Sequence, residues 1–186
     1  MEYRKNDIVT LEIVDCGTDG EGIGKADGFT VFVKDAVIGD TVTAKIMKAK
    51  KNYGYGRLME ILKPSPYRVD PICPSARQCG GCQLQAVSYE EQKAFKEKKL
   101  RGHLERIGGF KELPMEPLIG MDEPYHYRNK AQFPVGRNKE GRIVTGFYAG
   151  RTHAIIENRD CALGIPQNKE VLDRVIAHME KYNIAP

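Results

Sequence analysis

Apolar residues return at every second position through much of the first third of the chain. Val9, Leu11 and Ile13 stand among polar neighbours, and the same spacing recurs at Phe29, Val31 and Val33, at Val42, Ala44 and Ile46, and at Leu58, Glu60 and Leu62. A period of two puts alternate side chains on opposite faces, so each run predicts a strand with one face to bury. The stretches between them, "GTDGEGIGKADG", "IGD" and "NYGYG", are glycine-rich and read as turns. Within the first of these, "GEGIGK" (residues 20–25) is no phosphate loop, because Ala26 stands where Ser or Thr is required; it reads as a β-turn. Several short one-faced strands close best into a small β-barrel, assigned here to residues 1–62.

The pattern then changes. "KPSPYRVDPICP" holds four prolines and reads as a rigid connection, which with the cysteine loop spans 63–86. "SYEEQKAFKEKKLRGHLERIGG" has a serine start, early acids and a Gly-Gly stop, the marks of a helix whose stripe of Phe95, Leu100, Leu104 and Ile107 needs a partner. Beyond it lie a hairpin around "NKEG", a short strand near Ala154–Glu157, and a closing amphipathic helix marked by Val171, Leu172, Val175, Ile176 and Met179. Residues 87–186 are therefore a helix plus a β-rich second domain, and the chain as a whole is mainly β with α.

Composition adds little until its distribution is considered. No apolar run approaches the roughly 20 residues that span a bilayer, and the start lacks a secretion signal, so no membrane partner and a cytoplasmic location are expected. There thiols stay reduced, and close cysteines point to metal rather than to disulfides. The net charge of +4 is mild. From Thr43 to Arg68, however, Lys45, Lys48, Lys50, Lys51, Arg57, Lys63 and Arg68 face the single acid Glu60. Tyr53 and Tyr55 interleave with these cations, and aromatics that stack bases beside charges that track phosphates are how oligonucleotide-binding barrels hold single strands. The alternative is a solvated lysine face with tyrosines at the barrel rim.

Cys73, Cys79 and Cys82 stand as C-x5-C-x2-C, with Cys161 far downstream. Four thiolates can ligate an iron–sulfur cubane or close a tetrahedral zinc site, and the spacing leaves both open. Cys16 reads as a small buried hydrophobe without a role. The histidines His103, His126, His153 and His178 are scattered, and no nucleophile–base set emerges.

Three stretches together resemble the RNA (uracil-5-)-methyltransferases that begin with a TRAM domain and carry an iron–sulfur cluster, the 23S rRNA enzymes in particular. "DGEGIGKADGFTVFVKDAVIGDTVTAKI" is similar to the OB-like TRAM barrel, "CPSARQCGGCQLQ" to the cluster loop, and "YHYRNKAQFPVG" with "GFYAGRTHAIIENRDC" to the central α+β domain. The resemblance implies that Cys73, Cys79, Cys82 and Cys161 ligate a 4Fe–4S cluster that shapes the fold, with Gln83, Leu84 and Gln85 covering it. It also implies that Arg128, Asn129, Lys130 and Gln132 lie near RNA. The family places the attacking thiolate, the proton-removing base and the S-adenosylmethionine pocket in a Rossmann-like domain after the central one. The sequence ends at Pro186, so the resemblance implies an RNA-binding N-terminal part that is monomeric, inactive alone, and partnered by the missing catalytic domain, on which the stripe of the first helix is expected to pack. The alternative is a stand-alone TRAM-type RNA-binding module with a structural zinc.

Overall fold

The alternation at Val9, Leu11 and Ile13 becomes strand β1 (Ile8–Cys16) in the computed structural model, which describes residues 3–150 and 152–186. Arg151, within the last of the quoted motifs, lies outside the described residues. Four more strands follow: β2 (Gly22–Ala26), β3 (Phe29–Lys34), β4 (Thr41–Ala49) and β5 (Tyr53–Lys63). They close into a barrel in the order β1-β2-β3-β5-β4. Every pairing is antiparallel except β3 with β5, which run parallel. Val31, Val33, Val42, Ala44 and Ile46 are fully shielded from solvent, and Val9, Leu11 and Ile13 complete the core with them. Closure gives each one-faced strand two neighbours and leaves no open edge.

Two expectations need correction. "GEGIGK" is not a turn throughout: from Gly22 it is β2, paired to β1 and β3. Its inward positions are Gly22, Gly24 and the small Ala26, and a Cβ on Gly24 would come within 2.4 Å of the Glu12 carbonyl oxygen and 2.5 Å of Leu11. The absence of side chains that disguised the strand is what lets it fit. The phase assigned to β5 also fails beyond Leu58. Thr43 pairs with Glu60 while Ala44 pairs with Leu58, and Thr41 pairs with Lys63 while Val42 pairs with Ile61, so Met59 and Leu62 are each an extra residue. These bulges turn Ile61 toward the core and leave Leu62 half exposed.

The proline-rich segment is fastened to the barrel by a buried acid. Asp40, fully buried, accepts from the Val37 amide at 2.7 Å, the Ser65 amide at 2.8 Å and Arg68 at 2.5 and 3.1 Å. Arg68 also donates to the Asp35 carbonyl. Residues 67–69 in turn pair with 86–88 through Val69 N–H to Ala86 and Ser88 N–H to Tyr67. Ser88 then caps helix α1 (Tyr89–Arg106), its hydroxyl accepting from the Glu91 amide, with Glu90 and Glu91 in the first turn.

The chain divides into two compact units, one of Met1–Asp70 with Gln83–Gly120 and the other of Pro71–Cys82 with Met121–Pro186. Helix α1 thus clusters with the barrel rather than with the second unit. Leu84, Val87, Gln92 and Phe95 line a small cavity with Cys16, Ala36 and Val37 of the barrel. The apolar stripe is divided: Phe95 and Leu104 are half-buried, whereas Leu100 and Ile107 are exposed.

In the second unit the expected hairpin is β6 (Val135–Arg137) with β7 (Ile143–Tyr148), Arg137 opposite Ile143, and β8 (Ile155–Glu157) joins β7 on the other side. Helix α2 (Gln167–Lys181) packs on β7, burying Ile176 with Leu172 and Met179 beside it. Val171 and Val175 remain exposed. Among the described residues no helix is long and apolar enough to cross a membrane.

Candidate nucleic-acid interface and cysteine site

Strand β5 alternates Tyr53, Gly54, Tyr55, Gly56 and Arg57, and closure of the barrel dictates which set faces out. Inside, the core is already filled: a Cβ on Gly54 would lie 3.0 Å from the Phe29 ring and from the Lys48 carbonyl oxygen. Tyr53, Tyr55 and Arg57 therefore take the outer face, where both tyrosines are 38% exposed. The parallel register sets Phe32 beside Tyr55 and Lys34 beside Arg57, while β4 brings Lys48 to Tyr55 and Lys45 to Arg57 from the other side. Phe32, Tyr53 and Tyr55 form a cluster with ring centroids 5.6–5.9 Å apart. The result is an aromatic patch with a row of cations across it. Lys50 and Lys51 lie exposed at the β4–β5 hairpin, where the Lys50 amide donates to the Tyr53 carbonyl.

All seven expected barrel residues (Lys45, Lys48, Lys50, Lys51, Tyr53, Tyr55 and Arg57) belong to β4, β5 or the hairpin joining them. Phe32 was missed, although its signal was present: it sits between Val31 and Val33, out of phase with the core. Arg128, Asn129, Lys130 and Gln132 are exposed in the second unit, on an extended segment held by the Arg128 amide to the Leu163 carbonyl and a bridge between Arg128 and Gly164.

The four cysteines Cys73, Cys79, Cys82 and Cys161 all fall in the second unit. Cys73 is buried and the other three half-buried, with no disulfide among them. The loop is held against the end of β7 by a bridge between Cys79 and Ala149 and by the Gly80 amide to the Tyr148 carbonyl at 3.1 Å. Two sulfurs receive N–H donors: Cys79 from the Gly81 amide at 3.4 Å, and Cys73 from Asn158 at 3.5 Å, three residues before Cys161. Cysteine sulfurs are the ligand type of both iron–sulfur and structural zinc centres. The donor set thus fits a four-thiolate centre in kind. Among the described residues no three His, Cys, Asp or Glu side chains form a closed ligand group, so binding would have to draw the sulfurs together. Leu84, expected over this site, instead packs on the barrel.

Cys16 stands apart. Burial, then the charges of Glu21 and Asp15, push its thiol up to about 11, so it stays protonated at neutral pH.

Residues 4–59 match the TRAM domain. The match covers the barrel from before β1 to within β5. Over most of its length the chain is similar to known proteins: an uncharacterized RNA methyltransferase of Halalkalibacterium halodurans is 44% identical over 92% of this chain and 37% of its own length. One of Clostridium tetani is 42% identical over the whole of this chain and 40% of its own length. The chain therefore spans about two-fifths of the curated relatives it matches. Among solved structures, the Pyrococcus abyssi tRNA (uracil-54, C5)-methyltransferase in complex with S-adenosyl-L-homocysteine superposes with a TM-score of 0.60 at 24% identity, over 94% of this chain and 37% of that one. That likeness establishes a shared fold.

Proposed function

We propose that this chain is the RNA-binding N-terminal portion of a cytoplasmic, S-adenosylmethionine-dependent RNA (uracil-5-)-methyltransferase, with ribosomal RNA as its target. The observation that carries the reading is the outer face of β3, β4 and β5, where Phe32, Tyr53 and Tyr55 lie side by side among Lys45, Lys48 and Arg57. A base on an aromatic ring contributes about 1–3 kcal/mol whatever its identity, and the cations follow the phosphates. Within the second unit, Arg128, Asn129, Lys130 and Gln132 are the other proposed RNA contacts. Methylation at carbon 5 needs a thiolate to add to carbon 6, a methyl donor and a base, on a nucleotide taken out of its stack. This chain's share is to hold the RNA; the S-adenosylmethionine chemistry lies in the part of the relatives that it does not span.

Cys73, Cys79, Cys82 and Cys161 are the proposed ligands of a 4Fe–4S cluster. When bound, such a cluster would cross-link the cysteine loop to the segment after β8 without entering the methyl transfer. Iron and sulfide counts on anaerobically purified protein test this, and zinc with neither would replace the cluster by a structural zinc site. RNA binding is tested by titrating single-stranded RNA at several salt concentrations. With about 5 phosphate contacts, log K should fall against log salt with a slope of about −3.5. A flat response would remove the basic face from the account.

A further inference from the structure

A groove of about 430 Å³ runs between helix α1 and the β1–β2 turn of the barrel, entirely within the first unit. Its walls carry opposite charge. Helix α1 contributes Lys98, Lys99 and Arg106, and the barrel contributes Asp15 and Glu21. Phe32 lines the groove as well, and its ring also stands 5.6 Å from Tyr55 on the outer face. The aromatic patch and the groove thus share one side chain.

The acidic wall is short of donors. Glu21 lies against bare Gly17, where a Cβ would sit 2.8 Å from its carboxylate. Its Oε2 is buried without a hydrogen-bond partner, the only such side-chain atom among the described residues. A buried oxygen left unserved by the protein calls for an explanation, and a donor brought by a ligand is one. A carboxylate only accepts. A base that suits it must present donors, and of the four RNA bases guanine alone offers two neighbouring ones, N1–H and the N2 amino group, on its pairing edge. Recognition of unpaired bases by the pairing edge together with aromatic stacking is the usual way that proteins read single-stranded RNA.

We propose that this groove is a nucleotide site selective for an unpaired guanine, with the ring on Phe32, the pairing edge toward Glu21 and the phosphate toward Lys98 and Lys99. The site rests on the RNA-binding reading above and adds sequence selectivity to it. It is read by fluorescence anisotropy of the 186-residue chain with labelled r(UUGUU), r(UUIUU) and r(UUUUU), inosine lacking only the N2 amino group. The guanine oligonucleotide should bind roughly 10-fold or more tighter than the other two, in the range for a two-point base contact. Glu21→Gln should bring it down to the affinity of r(UUUUU), with thermal unfolding confirming that the variant folds. A readout on the unaltered protein is the amide spectrum: Gly17, Glu21 and Phe32 should shift with r(UUGUU) and not with r(UUUUU). Equal affinity for all three oligonucleotides overturns the guanine site and leaves the RNA-binding reading standing. No affinity for any of them overturns both.

Discussion

Replacing Asp40 by alanine should be among the most damaging single changes to the barrel unit. The carboxylate is fully buried and serves two backbone amides and both reachable nitrogens of Arg68, itself 19% exposed. Removing it leaves the Val37 and Ser65 amides without an acceptor and a largely buried guanidinium without its anion. Breaking one side of such a pair costs about 3–5 kcal/mol, because the orphaned charge is worse than no pair at all. For a barrel of this size each kcal/mol is worth about 4–8 °C in Tm, so a fall of more than about 10 °C is expected. Urea unfolding followed by far-UV circular dichroism measures it. The double variant Asp40→Ala/Arg68→Ala should lose less than the two single losses added, since the second change removes the charge that the first exposed. The acid limb offers an independent check. Burial pushes the Asp40 carboxyl up, but the Arg68 hydrogen bond, the Val37 and Ser65 amides and the Arg68 charge outweigh it and hold it below its ordinary value. A lowered folded value means the stabilisation is complete above the unfolded value near ~3.9 and drains away as pH falls through the folded one. Asp40→Asn should flatten that part of the stability profile. A loss under about 1 kcal/mol for Asp40→Ala, with an unchanged acid limb, would refute the reasoning.

Tyr53→Ala and Tyr55→Ala should each weaken single-stranded RNA binding by about 1–3 kcal/mol in a filter or anisotropy titration while barely moving the unfolding midpoint, because both rings stand on the outer face. Gly24→Ala should destabilise the barrel, since its methyl would be driven against the Glu12 carbonyl oxygen, and the urea midpoint reads this. At pH 7 Cys16 should react with iodoacetamide far more slowly than a free thiol, and mass spectrometry of a time course should show acceleration only as pH climbs toward about 11.

The strands with branched or bulky inward residues could be read from the sequence because hydrophobic burial writes itself at a period of two. Strand β2 could not, because two of its three inward positions are glycines, which leave space empty, and the third is only Ala26. In β5 the sequence keeps its alternation through Arg57, but two inserted residues reset the phase, and a bulge has no signature in a count of apolar positions. Helix α1 was legible in its ends and not in its face: Phe95 packs toward the barrel, yet much of the adjoining side carries lysines rather than aliphatics. Of the candidate site, the cations and tyrosines were apparent as a cluster in sequence, whereas Phe32 joins them only through the pairing of β3 with β5. The cysteine spacing suggested ligands of one centre, whereas the Asn158 donor to Cys73 depends on a chain reversal that spacing does not encode.

That same parallel pairing governs how the barrel can be made. As the chain leaves the ribosome, β1 to β4 emerge with the seam between β3 and β4 unzipped, and only the eleven residues of β5 can fill it. Sealing the seam brings together partners distant in sequence, the slow kind of step in folding. Since β5 also carries both tyrosines, the proposed RNA surface comes into being at the moment the cylinder seals, and a nascent chain caught earlier has neither.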